Sequence, residues 1–201
     1  MITAIIVIAT PLSRKLIRGC KRIGKIFTSN WYCWIALTKQ KICKLSIERK
    51  AMITYLQGNL LEDNAEVLVN TVNTVGVMGK GIALAFKEAF PANFKEYKSA
   101  CLAGDLRVGS LLITADINLF YGTKTIVNLP TKTHWRYPAE YSYIESGLAA
   151  LHDWLSANQV SSIALPALGC GNGGLNWGMV KRMIEKHLGG LAIDIRVYEP
   201  A

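Results

Sequence analysis

The sequence predicts a three-layer α/β/α domain over residues 52–201, with a mixed, mostly parallel central sheet covered by helices on both faces. Three observations carry this. Strand and helix patterns alternate along the whole stretch. Two of the strands, within 65–72 and 162–165, read as buried, as strands between two helix layers are. Two glycine-rich turns each follow a strand, and in such sheets ligands sit at the carboxyl ends of the strands.

The elements follow in order. Ile53–Gln57 reads as a strand and Ala65–Val72 as a second one. Ile82, Phe86, Ala89 and Phe90 share one helical face, and Pro91 ends that helix or opens the next. Phe94, Tyr97, Cys101 and Leu102 continue a second helix, closed by Gly104. Ser110–Ala115 and Thr125–Leu129 are strand candidates. Ile144, Leu148, Leu151 and Leu155 stripe a long helix from about Ala139 to Ala157. Ser162–Leu165 is a strand, Met179–His187 a helix, and Ile193–Tyr198 the closing strand.

Charge separates this body from what precedes it. The formal net charge is +9, but residues 1–51 hold eleven Lys and Arg against one acid, Glu48. Residues 52–201 are left with 12 basic and 13 acidic side chains, so global basicity is no argument that this body binds nucleic acid. The apolar start Ile2–Leu12 is too short to span a bilayer, and its charges follow the apolar run, the reverse of a secretory signal. Three readings fit residues 1–51: an organelle-targeting peptide, a basic arm touching nucleic acid or membrane, or an upstream start. The last is favoured, because Met52 opens a well-patterned strand directly. Five cysteines with no C-x-x-C pair point to a reducing compartment, and a cytoplasmic location is expected. The scattered His and Cys have no metal-ligand spacing, so no metal and no cofactor is expected, and no membrane partner.

The most informative stretch is Val69–Leu84, where a strand runs into Asn70 and Asn73, then into Gly79-Lys80-Gly81, then into a helix. Glycines let backbone N–H groups approach a ligand, and a helix start adds unpaired donors that favour an anion. The second turn, Pro166–Leu175, is a further anion cradle. The P-loop pattern fails, because Gly81 follows Lys80 where a hydroxyl is required. The dinucleotide pattern fails because Leu84 stands at its third glycine.

The combination of Gln57-Gly58-Asn59-Leu60, Val69-Asn70-Thr71-Val72-Asn73 and Pro166–Gly174 resembles the macrodomain family of ADP-ribose binders and hydrolases, across essentially all of residues 52–201. The lysine in the first loop, Asn128–Arg136 and Gly174-Leu175-Asn176-Trp177 resemble the branch of terminal ADP-ribose glycohydrolases and DarG-type antitoxins. The latter reverse ADP-ribosylation of thymine in single-stranded DNA by a DarT-type toxin. The resemblance implies catalytic roles for Lys80, at the anomeric carbon, and Asn73, on the distal ribose, with Asn70 bracing the loop. It implies ADP-ribose binding by Gly58, Asn59, Leu60, Asn70, Gly79 and Gly81, and by Leu168, Gly169, Cys170, Gly171, Asn172, Gly173 and Gly174, with ADP-ribose as ligand and product. Asn59 stands where the family usually has an aspartate accepting the adenine amino group. Gly173 stands where the terminal glycohydrolases place an aspartate that helps resolve a lysine–sugar adduct.

Cleavage at C1″ of ADP-ribose passes through oxocarbenium character. A neutral Lys80 amine could attack that carbon, and a protonated one could donate to the departing base. The plain alternative is that Lys80 pairs with a phosphate. Lys132, His134, Trp135 and Arg136 mix basic and aromatic groups in a loop beside the cleft, as a contact for single-stranded DNA does. The alternative there is a solvated loop with Trp135 packed on the core. Trp154 and Trp177 read as core residues, and Cys170 as a packing residue. The expected function is removal of ADP-ribose from thymine in single-stranded DNA, as antitoxin to a DarT-type ADP-ribosyltransferase. The alternatives are a hydrolase of protein-linked ADP-ribose or O-acetyl-ADP-ribose, or a non-catalytic ADP-ribose reader.

Overall fold

A computed structural model describes residues 52–200. The expectations for residues 1–51 lie outside them. Six strands and four helices alternate: β1 (Met52–Leu56), β2 (Val67–Asn73), α1 (Gly81–Ala89), α2 (Pro91–Ala103), β3 (Leu112–Asn118), β4 (Gly122–Lys132), α3 (Tyr141–Ala157), β5 (Ser162–Pro166), α4 (Trp177–Leu188) and β6 (Asp194–Tyr198). A 3₁₀ turn, Leu60–Glu62, links β1 to β2. The strands form one sheet in the order β1-β6-β5-β2-β4-β3. All neighbours are parallel except the β3–β4 hairpin.

Alternation along the strands decides which layer each side chain enters. Val67, Val69, Val127, Leu129, Ile163, Leu165, Ile195 and Val197 face α3 and α4, meeting Ile144, Leu148, Leu151 and Leu155 of the first and Val180, Ile184 and Leu188 of the second. The opposite face carries Leu68, Ile126 and Ala164, which meet Phe86, Phe90, Leu60 and Leu61. A third cluster of Val72, Met78, Tyr97 and Leu106 seats the loop after β2 against α2. Each buried side chain of this size adds about 1.5–3 kcal/mol relative to exposure.

Strand ends differ from expectation by up to a few residues, and three departures have a clear physical reason. Strand β4 runs past Leu129 through Pro130 to Lys132. A proline reads as a terminator, but β3 accompanies β4 only as far as Asn128, so no bond to β3 is lost there. Leu102 is 80 % exposed and leaves the stripe of α2, while Leu106, beyond Gly104, packs in its place. Helix α3 starts at Tyr141, because the Ala139 N–H donates to the Gly173 carbonyl (3.0 Å) and so belongs to the second glycine loop's contacts.

Candidate active site

A cavity of about 950 Å³ opens where β1, β2, β5 and β6 end. The first glycine loop, the second glycine loop, the segment after β1, the end of β6 and the loop after β4 all line it. Both glycine-rich turns thus face one cleft.

Asn73 ends β2 at a register shift against β4 and organises the first loop around its own amide. Its Oδ1 accepts from Val75 N (3.1 Å), Val77 N (3.3 Å) and the Tyr97 hydroxyl (3.0 Å), and its Nδ2 donates to the Val77 carbonyl (2.5 Å). Asn73 thus shares the loop-bracing role expected of Asn70, and it also lines the cavity. Asn70 is buried beneath, donating to Asn128 Oδ1 (3.1 Å) and toward Met78 Sδ (3.8 Å), and it does not reach the cavity. With Met78 buried and Asn73 bonded to Val75, Val77 and Tyr97, the Gly79-Lys80-Gly81 tip is held from behind and presented to the cleft. Lys80 is the extended N-cap residue of α1 (φ −151°) and is solvent-exposed. Among the described residues no carboxylate pairs with its ammonium. Behind it lie the unpaired N–H groups of the first turn of α1, a favourable place for negative charge.

The second loop divides its residues between core and cleft. Leu168 is fully buried in the core, and Cys170 packs against the same cluster with its thiol on the Leu168 carbonyl (3.5 Å). Burial pushes that thiol up to about 11, which suits packing rather than nucleophilic chemistry. Gly169, Gly171, Asn172 and Gly173 line the cavity, while Leu168, Cys170 and Gly174 do not. The loop is closed by bonds from Leu175 N to the Gly169 carbonyl and from Gly174 N to the Gly171 carbonyl, both 3.1 Å. A Cβ at Gly173 would stand 2.1 Å from the Gly169 carbonyl oxygen and 2.9 Å from Ala139 Cβ. No aspartate fits at this position in this loop conformation, a physical reason for the glycine there.

The two loops meet. At Gly81 (φ +58°) a Cβ would lie 2.9 Å from Asn172 Nδ2, so a side chain would be both strained and crowded. Lys132 Nζ donates to the Asn172 carbonyl (2.5 Å), and burial lowers the pKa of this amine. Lys132 lines the cavity as well, with one of its three N–H groups used on the second loop.

Gly58, Asn59 and Leu60 line the cavity. Asn59 caps the 3₁₀ turn, its Oδ1 accepting from Leu61 N (3.1 Å) and its Nδ2 donating to Glu62 (2.9 Å). Trp135 and Arg136 line the cavity mouth, whereas His134 sits behind them. Trp154 and Trp177 are partly buried against the core.

Sequence reasoning passed over Tyr198, Glu199 and Pro200, which line the cavity at the end of β6. The Tyr198 hydroxyl donates to Asp63 Oδ2 (2.8 Å), and burial, then Asp63, push its pKa up to about 12. Glu199 Oε1 accepts from Trp177 Nε1 and pairs with Lys181, both at 3.4 Å. The available signal was topological, since β6 is parallel to its neighbours and ends at the same sheet edge. Among the described residues no group of three or more His, Cys, Asp or Glu is placed to hold a metal ion.

A mixed α/β/α sheet with two converging glycine-rich loops at its carboxyl edge defines a nucleotide-phosphate-binding class of domain. The Macro domain model matches residues 69–184, and the chain belongs to the macrodomain family. It is 48 % identical over 150 residues to the DNA ADP-ribosyl glycohydrolase of Thermus aquaticus, covering 74 % of this chain and 41 % of that protein. The solved macrodomain of Thermus aquaticus DarG matches with a TM-score of 0.69 at 47 % identity, over 75 % of this chain and 99 % of that one. Thermosipho africanus DarTG in complex with ADP-ribose also matches with a TM-score of 0.69, at 32 % identity, over 74 % of this chain and 41 % of that one. The chain spans about two fifths of the length of curated relatives named DNA ADP-ribosyl glycohydrolase.

Proposed function

We propose that the domain is an ADP-ribosylglycohydrolase that releases ADP-ribose from thymine bases of single-stranded DNA, as the antitoxin to a DarT-type ADP-ribosyltransferase. The observation that carries this reading is Lys80, a lysine between two glycines at the start of α1, in the wall of a cavity of nucleotide size. Binding a phosphate alone could be left to backbone N–H groups, which both loops supply. The relatives named as DNA ADP-ribosyl glycohydrolases support the substrate, and the DarTG complex with ADP-ribose supports both ligand and partner.

In this reading the backbone of Gly169–Gly174 receives the diphosphate, and Gly58–Leu60 with the Tyr198 ring receives the adenine. Asn59 spends its amide oxygen on the 3₁₀ turn, so it contributes backbone rather than side chain there. Asn73 acts on the distal ribose through the shape it gives the loop and through the second hydrogen on its Nδ2. As the bond from C1″ to the base breaks, the base leaves with the electron pair and takes a proton from the Lys80 ammonium. Water adds its hydroxyl to C1″ and returns a proton to Lys80. A covalent Lys80–C1″ adduct is the competing route. Mass spectrometry of acid-quenched enzyme distinguishes the two, since only the adduct adds ADP-ribose to the peptide containing Lys80.

Lys80→Ala is expected to lower kcat on a singly ADP-ribosylated oligonucleotide by about 10²–10⁴-fold, the usual range for loss of a positioned acid. Calorimetric affinity for free ADP-ribose should change only severalfold. Undiminished release by the variant would overturn the role, and a higher kcat/KM on ADP-ribosylated protein would move the substrate from DNA to protein.

A further inference from the structure

The loop after β4 carries chemistry to which the reading above assigns no part of ADP-ribose. His134, Trp135, Arg136 and Tyr137 form a continuous aromatic and cationic ladder. The His134 ring stacks on Trp135 (centroids 5.3 Å apart, planes at 29°), the Arg136 guanidinium lies 4.5 Å from the Trp135 ring centre, and Tyr137 lies 5.3 Å from His134. The ladder is exposed nonetheless, Trp135 at 47 % and Tyr137 at 60 %.

This loop is also built to hold its shape. Thr74 Oγ1 donates to the Thr133 carbonyl (2.8 Å), fastening one end to the first glycine loop. Ala139 N donates to the Gly173 carbonyl (3.0 Å), fastening the other end to the second. Between them Tyr137 N bonds the His134 carbonyl (3.1 Å), and Arg136 N bonds His134 Nδ1 (3.2 Å). The ladder therefore rims the cavity from one wall to the other, with Trp135 and Arg136 at its mouth.

Resting on the glycohydrolase reading above, we propose that this rim is a stacking platform for the nucleotide next to the modified one in single-stranded DNA. An aromatic ring and a guanidinium plane both accept any base face, and the guanidinium also attracts the phosphate between the two nucleotides. Side chains already ordered against one another lose little freedom when a base stacks on them. A base within a duplex is stacked on both sides and cannot use the platform, which gives the site its preference for a single strand.

The test compares two substrates, an ADP-ribosylated thymidine monophosphate and a single-stranded oligonucleotide with one ADP-ribosylated thymine. In the wild-type protein kcat/KM is expected to be higher on the oligonucleotide. In Trp135→Ala the ratio of the two values should fall by about tenfold or more, the worth of one base–aromatic stack, with Trp135→Phe restoring most of it. A ratio that stays at the wild-type value in Trp135→Ala overturns the platform. If the wild-type protein releases ADP-ribose from neither substrate, the glycohydrolase reading fails. The platform is then decided by photocrosslinking an unmodified oligonucleotide that carries 5-bromodeoxyuridine. Crosslinks in the peptide containing residues 133–137 uphold it, and crosslinks confined to other peptides overturn it.

Discussion

Gly173 is the residue where packing and chemistry meet. The position is closed by the Gly169 carbonyl, so the carboxylate that terminal ADP-ribose glycohydrolases place there does not fit this loop conformation. Gly173→Asp is expected to destabilise the domain by about 1–3 kcal/mol, as overpacking does, seen as a lower urea midpoint with an unchanged m-value. On the reading proposed above, ADP-ribose affinity should fall with it, because that loop is the one assigned to the diphosphate. Asn73 shows how far a residue's part could be foreseen. Two asparagines flanking a strand end were visible as polar groups out of place in an apolar run. Which of them faced the cleft turned on the register shift after Val72, a property of two strands and not of either sequence segment.

At the scale of elements, strands and helices were legible because apolar periodicity is local, and their order fixed the layers. The ends were less so. Pro130 hid the last residues of β4, because its tolerance depends on β3 stopping short of it. The cavity residues at Tyr198–Pro200 carried no glycine and no motif, and only the parallel direction of β6 brings them to the site. Close approach of α3 to the sheet was equally hidden. A Cβ at Gly147 would meet Leu129 Cδ2 at 2.8 Å and Cγ at 3.0 Å, so the helix sits on β4 through a missing side chain. Gly147→Val should push α3 outward and destabilise the fold by about 1–3 kcal/mol in urea unfolding, despite the removal of a glycine from a helix interior.

For the molecule as a whole, the polar group that ties distant parts of the chain is Asp63. Its side chain accepts from Arg196 Nη1 (2.6 Å), the Tyr198 hydroxyl (2.8 Å) and Ala65 N (2.7 Å), and its carbonyl accepts from Lys124 Nζ (2.8 Å). Tyr198 is held up to about 12 against an ordinary 10, and burial raises Tyr55 and Tyr97 as well. A tyrosine whose folded pKa lies above its unfolded one favours the native state fully below the unfolded value and loses that contribution as pH climbs through the folded one. Thermal stability is therefore expected to decline between about pH 10 and 12. A tyrosinate absorbance titration in which part of the change appears only with unfolding would accompany it. The bond from Lys132 to the Asn172 carbonyl bears on time rather than on structure. Both residues line the cavity, and the bond joins the end of β4 to the second glycine loop, so its loss is expected to quicken exchange of ADP-ribose more than it changes affinity. In stopped-flow measurements Lys132→Met should raise the association and dissociation rates of ADP-ribose together by about tenfold, the worth of one charged hydrogen bond, while Kd moves far less than either. Turnover limited by departure of the product would then quicken when this lysine is lost, a gain in speed from the removal of a bond.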